Sequence, residues 1–377
     1  MGLKTEKQIL EIVKQRDNIL ICLPKKPTTD AIASGLGLFS VLEKLGKRAK
    51  VVASDFVLPS DHNFLPKSKE IYADLSSLRK FIITVDTAET QPENLEYDIK
   101  DNKLNIYITP KNGFFEERDV TTSSGNFSFD LIITIDTPDL DSLGAIYDNN
   151  AEFFYHTPII NIDHNPANEH YGQINLINVT ATSVSEIIFE LINDWSGDYL
   201  DEYVATNLLT GIISKTKSFK TNSVTPRSLA IASHLISQGA RRDDIVKNLF
   251  QNKSLATLKL WGKALATIKS DSEKKIVWSV LSQDDFREAG AKEGDLDKVI
   301  DELIINTPDA ENVFIVYEDY SGFTEAVIAT AHYIDAFKVF SEFKPTGNQD
   351  FTYIKLTGKT REEAEQLILG RLKSVVR

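Results

Sequence analysis

The sequence predicts an α/β protein with an N-terminal doubly wound parallel-sheet domain, a helical linker and a smaller C-terminal α/β domain. Three observations lead to this fold class. The chain of 377 residues is longer than one typical core will hold. Short apolar, β-branched runs alternate with helical patterns through its first half, and strand-like runs return after a helical middle section. We therefore expect domain limits at 1–195, 196–270 and 271–377.

Six apolar runs in the first half have the length and residue types of strands. They are continuous rather than alternating, which is typical of strands that are covered on both faces. Together with the intervening helical patterns, they predict a mostly parallel sheet. The runs are residues 18–23, 49–54, 80–85, 104–109, 130–135 and 158–162.

In the middle of the chain the apolar residues recur at helical spacing. After it, strand-like and helical segments alternate again. Thr225 and Pro226 provide an N-cap and a first-turn proline, and Gly239 is a C-cap candidate. In the last hundred residues, strand-like runs alternate with two helical stretches, which predicts a second sheet. The strand-like runs are 274–281, 311–319, 323–330 and 350–356, and the helical stretches are 296–305 and 361–374.

Composition excludes several classes of protein. The net charge of −13 disfavours loose binding to nucleic-acid phosphates or to an anionic membrane. No apolar run approaches the roughly 20 residues of a membrane-spanning helix. The N-terminus has the pattern of an amphipathic helix and not of a signal peptide, and the single cysteine, Cys22, cannot form an intramolecular disulfide. We expect a cytoplasmic protein.

Acidic residues and a histidine follow three of the predicted strands, where reactive groups cluster in open α/β sheets. Asp30 follows the first run, Asp136 the run at 130–135, and Asp163 and His164 the run at 158–162. Oxygen and nitrogen ligands of this kind suit Mn²⁺ or Mg²⁺. Taken singly, each aspartate is equally well explained as a helix cap or turn residue.

The chain resembles the DHH/DHHA1 phosphoesterases, which include RecJ-like exonucleases and nano-RNases that also dephosphorylate pAp. Several segments fall in the family's order and approximate spacing: DAIASGLGL, FLP at 64–66, IDTPDLDSLG, NIDHNPANEHYGQIN, TATSVSEII and GIISKTKSF. The resemblance implies a parallel-sheet DHH domain, a helical linker and a DHHA1 domain, with the active site between the domains. It also implies two Mn²⁺ or Mg²⁺ ions that activate a water for phosphoester hydrolysis.

This sequence departs from the family's motifs at several positions, and four of these would carry metal-binding or phosphate-binding side chains in the family. Pro24 replaces the first histidine, Thr28 replaces the first aspartate of the first motif, and Asn165 replaces the second histidine of the name-giving motif. Lys215 stands where the fourth motif has an aspartate. We assign no catalytic residue among these degenerate positions.

Three of the six ligand positions implied by the resemblance keep a ligand: Asp30, Asp136 and His164. They predict either no metal or a single Mn²⁺ or Mg²⁺ ion. Replacing an aspartate with Lys215 changes the local charge by two units, so the ammonium would act as a built-in counter-ion for the remaining carboxylates. The alternative is a Lys215 that points to solvent from the linker.

The resemblance also implies residues that bind substrate. Asp163 and Asn165 lie in the name-giving motif, and Gly347 and Asn348 lie where the family has a glycine-rich loop. One glycine cannot form the nest of backbone N–H groups that holds a phosphate.

Three functions follow from these patterns. The first is a pseudoenzyme that retains the hydrolase-like fold to bind a nucleotide, a short oligonucleotide or another protein. The second is a phosphodiesterase or phosphatase with a reduced one-metal site, acting on nucleotides or short oligonucleotides. The third is a purely structural component of an assembly, and a homo-oligomer is compatible with each of them.

Overall fold

A computed structural model describes residues 4–75, 78–251, 254–307, 310–331, 334–348 and 350–376. The chain forms two compact units. The larger unit consists of Met1–Asp74 and Asp130–Arg377, and the smaller unit is Leu75–Phe129.

The strands are numbered along the chain. They are β1 Asn18–Cys22, β2 Arg48–Val52, β3 Ile71–Tyr72, β4 Arg79–Val85, β5 Pro92–Lys100, β6 Lys103–Pro110, β7 Val120–Phe127, β8 Leu131–Ile135, β9 Ile159–Asp163, β10 Ile174–Ile177, β11 Lys269–Asp271, β12 Ile276–Val280, β13 Asn312–Glu318, β14 Thr324–Ala329, β15 Thr346–Gly347 and β16 Thr352–Lys355.

The helices are numbered in the same way. They are α1 Thr5–Gln15, α2 Thr29–Lys44, α3 Ala145–Asp148, α4 Ala151–His156, α5 Val184–Trp195, α6 Glu202–Lys215, α7 Pro226–Ser237, α8 Arg242–Val246, α9 Leu255–Ala266, α10 Gln283–Ala289, α11 Leu296–Asn306, α12 Ala336–Val339 and α13 Arg361–Val375.

The N-terminal sheet has six parallel strands in the order β10-β9-β8-β1-β2-β3. Its central strands β1, β8 and β9 are almost entirely buried, as their continuous apolar sequences predict. The chain runs outward from β1 in one direction and from β8 in the other, so the sheet is doubly wound and its topological switch point lies between these two strands.

Helices α2, α5 and α6 pack together beside this sheet and share its core. A close approach of α2 and α6 depends on Gly37, since a Cβ atom there would lie 2.9 Å from Leu208 Cδ2. Residues of α7 and α8 belong to the same core, so the helices after residue 200 are not a free-standing connector. The domain limits near 195 and 270 remain predictions.

The C-terminal domain contains a second six-stranded sheet in the order β11-β12-β13-β14-β16-β15. Strands β12 and β13 are parallel, and the other neighbours are antiparallel. Separate apolar clusters lie on its two faces, one with α9 and α11 and the other with α13. The predicted strands and both predicted helices of this region are confirmed, and so is the two-sheet α/β fold class.

The prediction that residues 80–85 and 104–109 belong to the parallel sheet is wrong. Both segments lie in the smaller unit, where β4 pairs antiparallel with β7 and β5 pairs antiparallel with β6. For residues 104–109 the reason is local: Asp101 and Asn102 adopt left-handed backbone conformations, with φ of 52° and 58°. These conformations form the two-residue turn that connects hairpin strands. None of the helices in the described ranges has the length and apolar character to cross a membrane.

Candidate metal centre and cleft

The candidate site lies at the carboxyl ends of β1, β8 and β9, beside the switch point of the N-terminal sheet. The segment after β1 supplies Thr28 and Asp30, Asp136 directly follows β8, and Asp163 and His164 stand at the end of β9. All five side chains are buried. Asp136 has a left-handed backbone with φ of 55°, a conformation that aspartate tolerates better than most residues.

Asp136, Asp163 and His164 form a compact cluster of metal-type ligands. One carboxylate oxygen from each aspartate and one ring nitrogen of His164 all lie within 4.8 Å of one another. The distance between His164 Nε2 and Asp136 Oδ1 is 3.6 Å, which is too long for a hydrogen bond.

The orientation of His164 favours metal binding. Its Nδ1 atom lies 3.2 Å from the carbonyl oxygen of Ala181, to which it can only donate. In neutral imidazole, the other nitrogen, Nε2, then carries the lone pair and faces Asp136. Metal-binding histidines are commonly fixed by a second-shell hydrogen bond of this kind.

Asp163 is held by its own loop. Its Oδ1 atom accepts hydrogen bonds from the backbone N–H groups of His164 and Asn165, and its Oδ2 atom accepts one from the Asn168 side chain at 2.7 Å. Burial and, secondarily, the charge of Asp136 raise the pKa of Asp163 to about 7, against the opposing effect of the hydrogen bond from Asn168.

These residues fit one divalent cation. Two carboxylates and a neutral imidazole are a donor set suited to Mn²⁺ or Mg²⁺. Each carboxylate oxygen has more than one lone pair, so the bonds that orient Asp163 still allow it to coordinate an ion.

Thr28 stands between the first motif and this cluster. Its hydroxyl donates to Asp136 Oδ2 at 2.9 Å and accepts from the backbone N–H of Ala31 at 3.1 Å. The residue is therefore both the N-cap of α2 and a support for Asp136. A hydroxyl in this position replaces the carboxylate implied by the family resemblance.

Asp30, predicted from the sequence as a metal ligand, lies outside the group of ligand atoms formed by Asp136, Asp163 and His164, and its role as a ligand remains a prediction. Its carboxylate accepts from the backbone N–H groups of Val184 and Ser185 at 2.7 and 3.1 Å, and from the Ser185 hydroxyl at 2.6 Å. It thereby satisfies free donors in the first turn of α5. Burial raises the pKa of Asp30, and the charge of Asp136 adds to this effect.

Lys215 lies at the end of α6 and points into the protein. Its Nζ atom is 2.6 Å from Oδ1 of Asp350 in the C-terminal domain, and only 13% of its side chain is exposed. The solvent-facing alternative is therefore excluded. Burial alone lowers the pKa of the Lys215 ammonium, but three carboxylates more than offset this and raise it above its usual value: Asp350, then Asp136 and Asp30.

A second lysine makes a similar bond nearby. Lys217 Nζ lies 2.6 Å from Asp301 Oδ1 of α11, and Lys217, Ser218 and Phe219 all have left-handed backbone conformations. Asp350 itself has a lowered pKa, because the attraction of Lys215 and Lys217 outweighs the effect of its burial. Two partly buried ion pairs thus join the end of α6 to the C-terminal domain.

A cleft of about 1310 Å³ opens beside the cluster. It is lined from the N-terminal domain by the four altered motif positions Pro24, Thr28, Asn165 and Lys215, and from the C-terminal domain by Gly347 and Asn348 among others. Among the described residues, seven acidic side chains line it against five lysines. This part of the lining is therefore not the basic groove that a long polynucleotide requires.

Gly347 and Asn348 shape the turn that carries Asp350. Gly347 has φ of 120°, and a Cβ atom there would lie 2.0 Å from the carbonyl oxygen of Phe351. The Asn348 side chain accepts from the backbone N–H groups of Asp350 and Phe351. Neither this arrangement nor Ser185 as the partner of Asp30 was predicted from the sequence.

The model of the N-terminal domain of the DHH family matches residues 18–212, just over half of the chain. This chain belongs to the DHH family. The match covers all the strands of the parallel sheet and most of helix α6, and it confirms the resemblance found in the motifs.

The chain is similar to curated members of the DHH family. It is 24% identical over 288 residues to a bifunctional oligoribonuclease and PAP phosphatase NrnA from Thermus thermophilus, covering 76% of this chain and 68% of that protein. It is 26% identical over 163 residues to the Bacillus subtilis protein of the same name, covering 43% of this chain and 51% of the relative. The aligned region is thus less than two thirds of the latter.

A solved structure shares the fold over almost the whole length. An exopolyphosphatase-related protein from Bacteroides fragilis aligns with 98% of this chain and 96% of its own, with a TM-score of 0.71 and 19% identity. At this identity the similarity supports the fold alone.

Proposed function

We propose that this DHH-family protein binds a small phosphorylated ligand, a nucleotide or a short oligonucleotide, in its cleft and has lost two-metal hydrolysis. The observation that carries the proposal is the buried Lys215, which is ion-paired with Asp350 and electrostatically coupled to Asp136 and Asp30. An ammonium group here supplies positive charge where the family resemblance implies a metal-binding carboxylate.

The other altered positions support the same conclusion. Thr28 can support Asp136 but contributes a neutral hydroxyl instead of a carboxylate. Asp30 is present, but it holds the start of α5 and does not belong to the group of ligand atoms formed by Asp136, Asp163 and His164. A second divalent ion would therefore lack an anionic ligand set and would be repelled by Lys215.

The cleft supports a small ligand rather than a long polyanion. Lys25, Lys26 and Lys220 line it with exposed side chains, and each can approach a phosphate. The more numerous acidic residues of the lining disfavour an extended nucleic-acid backbone. The relatives named as oligoribonucleases and PAP phosphatases favour pAp and dinucleotides as the first ligands to test.

A one-metal phosphoesterase is the second candidate, and the cluster of Asp136, Asp163 and His164 favours it. These three residues would hold the ion. A bound divalent ion polarises a phosphoryl oxygen and lowers the pKa of a bound water. The chain's own contribution would be to orient His164 through Ala181 and Asp136 through Thr28.

Calorimetric binding of pAp and of a dinucleotide, together with product analysis after incubation with Mn²⁺, separates these candidates. The proposal predicts binding of at least one ligand without hydrolysis. Hydrolysis that disappears in Asp136→Asn but persists in Asp141→Asn, an exposed acid of the same cleft, would establish the one-metal enzyme instead. Binding of neither ligand would contradict ligand retention.

A restoration experiment tests the reason for the loss. Pro24→His, Thr28→Asp and Lys215→Asp are combined with Asp350→Asn, so that the new carboxylate at 215 does not face Asp350. The combined variant should bind more Mn²⁺ per chain than the parent. Unchanged Mn²⁺ binding in a variant that is folded by circular dichroism would mean that these substitutions do not account for the lost site.

A further inference from the structure

The smaller unit carries an apolar sheet face that the proposed function does not use. In the hairpin of β5 and β6, cross-strand neighbours place six apolar side chains on one face: Leu95, Tyr97, Ile99, Leu104, Ile106 and Ile108. Five of them are exposed, by between 41% and 75%. A two-stranded hairpin with an apolar face is marginally stable in water, so this face and its edges favour association.

The free edge of β6 presents unpaired backbone groups at the same apolar residues. In a hairpin closed by a two-residue turn, the residues that flank the turn, Lys100 and Lys103, exchange hydrogen bonds, and such pairs then alternate along the ladder. Leu104, Ile106 and Ile108 lie at the alternate positions, so their N–H and C=O groups point away from β5. Among the described strands, none pairs with this edge of β6.

We propose that β6 pairs antiparallel with β6 of a second copy of this chain, about a twofold axis at Ile106. Ile106 would then face its own copy, and Leu104 would face Ile108 of the partner subunit. The three outward-facing residues of each strand would exchange backbone hydrogen bonds. The two hairpins would form one four-stranded sheet, with the apolar side chains of both copies on a single face.

The charged residues of the hairpin favour a dimer contact through the edge of β6 over one through the edge of β5. In the proposed pairing, Asn105 of one copy lies opposite Tyr107 of the other, and Lys103 lies opposite Thr109. No like charges face each other on this polar side of the sheet. An equivalent pairing of β5 about Tyr97 would place Glu96 opposite Asp98 twice. Like charges directly opposite each other destabilise a sheet, and acidic residues on an edge strand are a known protection against pairing.

The test is the molar mass of the full chain in solution, measured by light scattering or sedimentation from about 1 to 100 μM at about 0.15 M salt. The proposal predicts a dimer for the natural sequence and a monomer for Ile106→Pro, which removes an outward N–H that the hairpin itself does not use. Tyr97→Pro is the matched control. It makes the same change at the outward-facing position of β5 and should remain dimeric.

Ile106→Lys provides a second disruption with no change to backbone donors. It would place two ammonium groups opposite each other at the twofold axis, and it should also give a monomer. A monomeric natural chain over the whole concentration range would overturn the proposal. So would a dimer that survives both changes at position 106, or one that Tyr97→Pro disrupts equally.

Discussion

The Nζ atom of Lys215 lies 2.6 Å from Oδ1 of Asp350, across the boundary between the helix that ends the N-terminal site and the C-terminal sheet domain. This bond gives a mostly buried cation a carboxylate partner. It also fixes a positive charge beside the aspartates of the candidate metal centre. The Lys215 ammonium therefore supplies positive charge at this site without a bound metal ion.

Removing the ammonium group of Lys215 should destabilise the fold more than removing the ammonium group of an exposed lysine. We expect Lys215→Met to lower the free energy of unfolding by about 3 kcal/mol, because it leaves Asp350 buried without its counter-charge. Lys373→Met, which breaks a comparably short but more exposed pair with Asp271, should lower the free energy of unfolding much less, because solvent screens this pair. Urea denaturation measures both changes.

The double variant Lys215→Met/Asp350→Asn completes a double-mutant cycle. It should recover part of the loss, because no uncompensated charge remains. Strictly additive losses would show that the two side chains do not interact in solution.

Gly211 is required by the packing of α6 on Asp30. A Cβ atom at Gly211 would lie 2.0 Å from Ser185 Oγ and 2.3 Å from Asp30 Oδ1. We expect Gly211→Ala to cost about 1–3 kcal/mol of stability by displacing this hydrogen-bonded pair. Gly262→Ala on α9 is the control, since nothing lies within 4 Å, and it should stabilise by about 0.5–1 kcal/mol. Equal effects of the two substitutions would contradict the close packing.

Thr28 is expected to tolerate serine but not valine. Thr28→Val removes both the N-cap acceptor of α2 and the hydroxyl donor to Asp136, and it should cost about 1–2 kcal/mol. Thr28→Ser keeps the hydroxyl and should restore most of that loss. Thermal denaturation of the two variants checks the prediction. A valine variant as stable as the serine variant would mean that neither bond matters.

Asp297 gives the fold a defined pH dependence. Burial raises the pKa of its carboxyl group to about 6, above the value of an unfolded chain. The ionised form is thus disfavoured in the folded state, so this residue destabilises the protein at high pH and ceases to do so as the pH falls through 6 towards 4. Asp297→Asn should therefore stabilise by up to about 3 kcal/mol at pH 8 and by little at pH 4.

Urea unfolding of both proteins across this range measures the difference. Asp243→Asn, which removes an equal charge from a side chain that is 97% exposed, corrects for the change in net charge. A stabilisation by Asp297→Asn that is constant with pH would contradict the assignment.

The parallel sheet was predictable because its central strands are buried on both faces and read as continuous apolar runs. Segments 80–85 and 104–109 look the same in isolation. Residues 104–109 differ because the chain turns back on itself at Asp101 and Asn102, and no helix intervenes there as it does between parallel strands. Residues 80–85 pair antiparallel with β7, more than 30 residues further along the chain. The Asp-Asn pair at 101–102 could have indicated the hairpin turn. The prediction relied instead on the apolar content of the flanking segments.

The candidate site was predictable where its residues directly follow strands. Asp136 and His164 are brought together by the order of β8 and β9, which places their carboxyl ends side by side. The partners of Lys215 and Asp30 could not be found in this way. Asp350 is 135 residues from Lys215, and Ser185 is 155 residues from Asp30, so no local pattern connects them.

The number of Mn²⁺ ions bound per chain at saturation tests the central claim most directly. Equilibrium dialysis of the natural chain, with elemental analysis of the protein, should give no more than one ion per chain, and any bound ion should be lost in Asp136→Asn. Two ions per chain, both dependent on the cluster of Asp136, Asp163 and His164, would contradict the account and show that Lys215 does not exclude the second metal.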